Sequence, residues 1–205
     1  MVINNVRIFI NPKADESSLK ATATMLVNNQ LLLQSIRVFQ DEAETPNGDP
    51  VFRIVYPVQR INSDDLRHCL YPANAEARNK FNAAILEAYQ KVLSGEAERN
   101  TVVFSTDTER TPYEVTRASI FPSGRESAAR AKVGLELDGE LWLRSINLTV
   151  RENGSLLLNM PRRQVGEKES MAYFHPVDQT ARNSLTAAVL PYYEEAVRAS
   201  RKNPA

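Results

Sequence analysis

The chain has 205 residues, 42% hydrophobic and 24% charged, which is typical of a globular protein of one mid-sized domain or two small ones. Because 25 basic side chains balance 25 acidic ones, no overall positive field attracts a polyanion, and any phosphate binding must come from a local patch. No apolar run reaches the roughly 18 residues of a membrane span and no signal peptide is evident, so we expect a cytoplasmic protein. One cysteine and two histidines exclude an internal disulfide and an ordinary Cys/His metal cluster. We therefore expect no metal or cofactor.

The first predicted elements form an antiparallel meander. A strand is expected at residues 5–10, and a hairpin is expected to turn at Asn28 and Asn29, which tolerate the positive φ of a two-residue turn. A further strand at 52–56 would complete a sheet of about four strands. The polar segment 41–50 before it is rich in turn-forming residues, where an insertion costs little.

A helix is predicted to follow the meander. Its apolar residues recur at the three-and-four spacing of one helical face, namely Phe81, Ala84, Ile85, Ala88, Tyr89 and Val92. Asn74 is a suitable N-cap, two residues after a proline that keeps the preceding residue extended. We place the first domain at 1–94 and a linker at 95–112, with 101–104 as a candidate extra strand.

An internal repeat sets the organisation of the rest of the chain. Residues 3–40 recur at an offset of 110, which places Arg7 on Arg117, and beyond the 41–50 segment the offset is 104, which places Pro72 on Pro176. The two offsets differ because the first copy carries six extra residues in that segment. A period this long indicates domain duplication, since each copy is large enough to bury its own small core.

The second copy, at 113–200, repeats the same elements. Strands are predicted at 115–121 and 155–160, with a hairpin between them that turns at Asp138 and Gly139. The closing helix carries Asp178 as its N-cap, and Pro191 should kink or shorten it by removing a backbone donor. Residues 201–205 are expected to form a frayed tail.

Several side chains have both a functional and a structural interpretation. Arg162 and Arg163, expected in a surface loop just past a strand, and Lys168 beyond them fit a solvated loop as well as phosphate contacts. Arg78 and Arg182 begin helices, where a carboxylate partner is the favoured interpretation. Trp142 and Tyr173 could stack on bases, although packing is favoured for Trp142. Phosphate-binding loops and hydrolase or metalloprotease motifs are absent, so no catalytic residue is proposed.

The two copies resemble the stage V sporulation protein G (SpoVG) family. The resemblance lies in the proline-led helix entries at 71–78 and 175–182, the central strand at 33–38, and the strand end at 160–163. These pieces occur in the same order in both copies and cover nearly all of each. Because no single piece is as specific as a zinc signature, the identification depends on their collinearity.

The resemblance implies a small α+β domain that pairs with a second copy and binds DNA or RNA. It therefore implies a non-catalytic nucleic-acid-binding regulator that acts in gene regulation or in cell division and septation. Its two copies are expected to pair as an intramolecular pseudo-dimer. Further homo-oligomerisation is left open. The candidate nucleic-acid-binding residues are Arg162, Arg163, Lys168, Arg60, Arg67, Arg182 and Arg78.

The first copy departs from the family pattern at its strand end. It reads Val58, Gln59 and Arg60 where the second copy has Arg162, Arg163 and Gln164, and Asp64 and Asp65 add repulsion nearby. We therefore expect the second copy to make most electrostatic contacts. The alternative is a protein-interaction or scaffold module that kept the duplicated fold without nucleic-acid binding, which the zero net charge favours.

Overall fold

Each half of the chain folds into an antiparallel meander that a helix follows, as the computed structural model shows for residues 1–60, 65–123 and 129–202. The predicted α+β fold with two copies is confirmed. The elements of the first half are β1 (Ile3–Ile10), β2 (Leu19–Val27), β3 (Leu31–Glu44), β4 (Pro50–Val55), β5 (Val58–Arg60), β6 (Leu66–His68), β7 (Leu70–Pro72), α1 (Ala75–Leu93) and β8 (Thr101–Val103).

The second half repeats this order. Its elements are β9 (Val115–Pro122), β10 (Ala129–Leu137), β11 (Leu141–Val150), β12 (Leu156–Asn159), β13 (Arg162–Gln164), β14 (Ser170–Ala172), β15 (Phe174–Pro176) and α2 (Gln179–Lys202). The four-stranded meander was predicted in each copy, whereas the three short strands that follow it were not.

Helix α2 differs from its prediction at Pro191. The expected shortening is wrong, because the helix continues through Pro191 and reaches Lys202. Proline removes one backbone donor from a helix but does not forbid the residues on either side from remaining helical. The first two residues of the predicted tail are thus helical, and 203–205 lie outside the described residues.

The two hairpin turns adopt the conformation that their sequences predict. Asn28 and Asn29 have φ of 52° and 53°, and Asp138 and Gly139 have φ of 54° and 65°, as a two-residue hairpin turn with positive φ at both positions requires. The turns also meet, because Asn28 Nδ2 donates a hydrogen bond of 3.0 Å to Asp138 Oδ2. Two equivalent positions of the repeat are therefore in direct contact.

Both predicted N-caps are present. The Asn74 side chain accepts from the Ala77 backbone N–H at 2.8 Å, and Asp178 accepts from the Ala181 N–H at 2.9 Å. Each cap satisfies a backbone donor that the first helical turn leaves without an intrahelical partner. The caps fix where each helix leaves its short preceding strand.

The two halves exchange strands. In the six-stranded sheet 1 the order is β15-β3-β2-β1-β8, with β4 on the far part of β3; sheet 2 contains β12-β11-β10-β9, with β7 added to β11. Thus Phe174 of β15 pairs with Leu33, and the equivalent Leu70 of β7 pairs with Leu143. Reciprocal contacts between equivalent residues are the pattern of a two-fold interface.

A single apolar cluster extends through both halves. Fully buried side chains from the two sheets and both helices, among them Ile8, Phe81, Leu143, Phe174 and Leu185, belong to one contiguous core. Helix α1 packs on β1 and α2 packs on β9, so each helix covers one face of a sheet. Alternate residues of the strands point away from the helices and form an outer face on each sheet.

Candidate nucleic-acid interface

A two-stranded ribbon projects from each half at the strand end that the sequence singles out. In the second half β13 pairs with β14, so that Arg163 lies opposite Met171, and in the first half β5 pairs with β6. The prediction that Arg162 and Arg163 lie in a surface loop is wrong: they form β13. Pro161 has no backbone N–H to donate to a sheet ladder, so β12 ends before it. The exposed residues 162–164 beyond it pair with 170–172 instead.

Adjacent positions on β13 give Arg162 and Arg163 different roles, because successive side chains of a strand point to opposite faces. The Arg162 guanidinium donates to Ser170 Oγ at 2.8 Å and to the Ser170 carbonyl at 2.6 Å. Arg163 makes no hydrogen bond or ion pair with a described residue and lines a cavity against the first half. Of the two, Arg163 is the one whose charge has no ligand among the described residues.

The ribbon tips carry two more of the predicted residues. Lys168 is exposed in the turn between β13 and β14, and Arg60 is exposed at the end of β5. Neither pairs with a carboxylate among the described residues. Asp64, expected to repel phosphate near Arg60, lies outside them.

The remaining predicted residues have partners within the protein. Arg67 Nη2 lies 2.7 Å from Asp65 Oδ2, and this ion pair offsets its charge. The Arg78 guanidinium lies 5.8 Å from the ring centroid of Tyr56, and Arg182 Nη1 donates to the Leu158 carbonyl at 3.2 Å. These contacts hold helix starts against strands and favour a structural role for both helix arginines. Neither arginine has the predicted carboxylate partner among the described residues.

The outer face of sheet 1 carries a basic and aromatic surface that the sequence analysis missed. Its members are Arg7 and Phe9 on β1, Arg37 and Phe39 on β3, and Arg53 on β4. We call this set the arginine–phenylalanine face. The strand register places Phe9 opposite Thr22, Thr22 opposite Arg37, and Phe39 opposite Arg53, so these side chains are neighbours across the strands.

Guanidinium groups lie over both phenylalanine rings of this face. Arg7 is 5.1 Å from the centroid of Phe9, while Arg37 and Arg53 are 5.6 and 5.5 Å from that of Phe39. Arg53 also pairs with Asp41 at 3.0 Å. Arg7 and Arg37 have no carboxylate partner in the described part of the chain, and Phe9 remains 44% exposed. The surface therefore offers unpaired positive charge beside one exposed and one half-buried ring.

Strand exchange brings the ribbon of the second half to this face. Because β15 pairs with β3, Arg163 and Tyr173 of the second half line one cavity with Thr22, Ser35 and Arg37 of the first. The cavity has a volume of about 220 Å³. Residues from both copies therefore contribute to a composite surface.

The equivalent face of sheet 2 is different. Ser119 and Thr149 stand where the first half has Phe9 and Phe39, and Asn147 stands in place of Arg37. Arg117, the equivalent of Arg7, has its Nε 3.3 Å from a Glu136 carboxylate oxygen. Duplication has left the arginine–phenylalanine face on one copy only.

A smaller cationic and aromatic cluster lies at the other exchanged strand. The Arg144 guanidinium is 5.3 Å from the Trp142 ring and 5.5 Å from the Tyr71 ring, which β7 brings from the first half. The ring centroids of His68 and Tyr71 lie 5.6 Å apart. Trp142 is half-buried on the sheet surface, with the Arg144 guanidinium over its ring.

The described residues offer little nucleophilic or metal-binding chemistry. Burial raises the pKa of the Cys69 thiol to about 12, so at neutral pH it is protonated and is not a nucleophile. Within residues 1–60, 65–123 and 129–202, no group of three His, Cys, Asp or Glu side chains is placed to hold a metal ion. No helix in the same ranges is long and apolar enough to cross a bilayer.

Comparison with known proteins gives one family for both halves. The family model described as SpoVG matches residues 1–91 and 113–195. Relatives named septation protein SpoVG include that of Clostridium beijerinckii, 30% identical over 96 residues (47% of this chain, 96% of the relative). The Acetivibrio thermocellus relative is 31% identical over 99 residues (48% and 95%), and that of Archaeoglobus fulgidus is 29% identical over 82 residues (40% and 95%).

Proposed function

This chain belongs to the SpoVG family, with a family segment in each half, and from that premise we propose that it is a non-catalytic regulator that binds DNA or RNA. The observation that carries the proposal is the arginine–phenylalanine face with Arg163 beside it. On this surface Arg7, Arg37 and Arg163 have no carboxylate partner among described residues, while the outer face of sheet 2 lacks the two phenylalanines.

The chemistry of this surface suits single-stranded nucleic acid. Guanidinium groups bind phosphate oxygens in a bidentate manner, and exposed rings stack on unpaired bases of any sequence. A sheet face that presents both groups contacts the backbone and the bases of one strand together. In a duplex the base faces are stacked on one another, which leaves the phenylalanines without a partner.

We further propose that the two halves act as an intramolecular pseudo-dimer. The exchanged strand β15 supports this proposal, because its pairing with β3 brings Arg163 of one copy to the cavity that Arg37 of the other copy lines. The relatives are named septation proteins; for this chain we propose a role in gene regulation or septation, exerted on nucleic acid in the cytoplasm.

Fluorescence anisotropy with short single-stranded DNA, single-stranded RNA and duplex DNA tests the proposal. We expect single strands to bind more tightly than duplex. The logarithm of affinity should fall against the logarithm of salt with a slope of about −2, because three unpaired arginines release about 0.7 counterion each from a single strand.

Two results of that titration would count against the proposal. If no strand binds at low salt, the scaffold alternative takes over. If duplex binds as tightly as single strands, the phenylalanines do not stack on bases and the arginine–phenylalanine face is not the interface.

A further inference from the structure

The cavity between the two halves has the lining of an anion site. Thr22, Ser35 and Arg37 contribute from the outer face of sheet 1, Val58 from the start of β5, and Arg163 and Tyr173 from the second half. Its volume of about 220 Å³ exceeds that of several water molecules at about 30 Å³ each. A tetrahedral anion with part of its substituent therefore fits within it.

Ser35 provides the first indication of a ligand. The residue is only 7% exposed, and its Oγ has no hydrogen-bond partner among the described residues. It lies at a bulge of β3 with φ of 62°, where the extra residue leaves the regular ladder and re-aims its side chain. Buried hydroxyls are nearly always hydrogen-bonded. Because less than 1 Å² of the Ser35 Oγ is accessible, a group in the cavity reaches this hydroxyl once the side chain rotates toward the cavity.

The two arginines provide the second indication. Neither Arg37 nor Arg163 has a carboxylate partner within the described ranges, although both line the same cavity. Both arginines also lie close enough to Tyr173 to affect its pKa. Burial raises the pKa of the Tyr173 phenol, and the positive charges of Arg163 and Arg37 oppose that rise. Two unpaired guanidinium groups beside one cavity favour an anion with several acceptor oxygens.

We propose that this cavity binds a phosphate group, held by Arg37, Arg163 and the Thr22 hydroxyl, with the Ser35 hydroxyl as a further donor after rotation of its side chain. The inference rests on the proposed function for the source of the phosphate, which is either the nucleic-acid backbone or a small phosphorylated molecule. Both sources present the same oxygens to the same donors.

The second half does not repeat the site. Asn147, Gln59 and Cys69 stand at the positions equivalent to Arg37, Arg163 and Tyr173. The expected stoichiometry is therefore one phosphate per chain, and this distinguishes a built site from general attraction of anions to basic residues.

The proposal is tested by titrating the full chain with inorganic phosphate and following the titration by NMR and calorimetry. A titration with sodium chloride at matched ionic strength is the control. We expect one saturable site, with shifts at Ser35, Arg37, Arg163 and Tyr173. Arg163→Gln should weaken phosphate binding about tenfold or more, as the loss of a charge-assisted bond predicts. Arg162→Gln is the matched control, because Arg162 is adjacent but bonded to Ser170, and it should change affinity less than about twofold.

Ser35→Ala gives a result that a purely structural role would not. Removing a buried hydroxyl without a partner should raise the melting temperature in phosphate-free buffer, yet the same change should weaken phosphate binding. A lower melting temperature with unchanged phosphate affinity would contradict the assignment of Ser35.

Competition with a labelled single-stranded oligonucleotide identifies the source of the phosphate. If phosphate displaces the oligonucleotide with the affinity measured by NMR, the site takes a backbone phosphate; if both bind together, it takes a small phosphorylated molecule. Phosphate binding without any oligonucleotide binding would refute the proposed function alone. Absence of a saturable phosphate site, or equal phosphate affinity in Arg163→Gln and the parent, would overturn the cavity proposal whether or not oligonucleotides bind.

Discussion

Replacing Phe174 by alanine is expected to lower the free energy of unfolding by about 3–5 kcal/mol, the usual cost of deleting a buried phenyl group. Phe174 is fully buried, and it lies in β15, the strand that the second half contributes to the sheet of the first. Since small proteins are stable by only about 5–15 kcal/mol, the change should remove a large part of the total. Urea unfolding followed by circular dichroism measures it.

The same variant also tests whether strand exchange joins the halves. Phe81→Ala is the matched control, because Phe81 is equally buried in α1 but belongs to no exchanged strand. Both variants should be destabilised, whereas only Phe174→Ala should increase cleavage by protease in the 95–112 segment and enlarge the particle in solution scattering. A parent protein that unfolds in two independent transitions, or a two-lobed scattering shape, would contradict the pseudo-dimer.

The triple variant Arg7→Ala, Arg37→Ala and Arg53→Ala should bind single-stranded nucleic acid about 100-fold more weakly at low salt. It should also flatten the salt slope by about one to two units, because each lost phosphate contact releases about 0.7 fewer counterion. The three side chains point away from α1, so the melting temperature should change by only a few degrees. Anisotropy and thermal unfolding of the same preparation separate lost contact from lost fold.

A second triple variant controls for net charge. Arg117→Ala, Lys132→Ala and Arg151→Ala remove the same charge from the second half, away from the arginine–phenylalanine face. This variant should change affinity less than about threefold. Equal losses in the two triple variants would show that binding follows net charge and not the arrangement on sheet 1.

Much of the fold could be predicted from local sequence patterns. The Asp138-Gly139 turn, the caps at Asn74 and Asp178, and the apolar spacing of α1 each depend on residues close together in the chain, and the structure contains all of them. At Pro191 the predicted shortening is wrong, since the turns of α2 remain helical on both sides of it, and the alternative of a kink stays a prediction.

Strand exchange could not be predicted in the same way. β7 and β15 have three residues each and end in proline, so neither shows a strand period, and each pairs with the other half. Pairing between segments far apart in sequence depends on packing that no local pattern encodes. Arg163 lies close to Arg37 because of that pairing, so the proximity of the two side chains could not be predicted either.

The arginine–phenylalanine face could have been found from the sequence. Arg7 and Phe9 alternate with the apolar Val6 and Ile8, and Arg37 and Phe39 flank Val38, so period-two alternation places them on one side of the sheet. The family pattern points to the strand ends, and it predicts the same role for Arg162 as for Arg163.

Chemical-shift mapping of the isotope-labelled protein with a single-stranded oligonucleotide tests the central claim most directly. The account predicts that the largest perturbations occur at Arg7, Phe9, Arg37, Phe39 and Arg163, on one surface formed by both halves. Perturbations confined to the exposed sides of α1 and α2, or none at oligonucleotide concentrations that saturate the anisotropy signal, would contradict it.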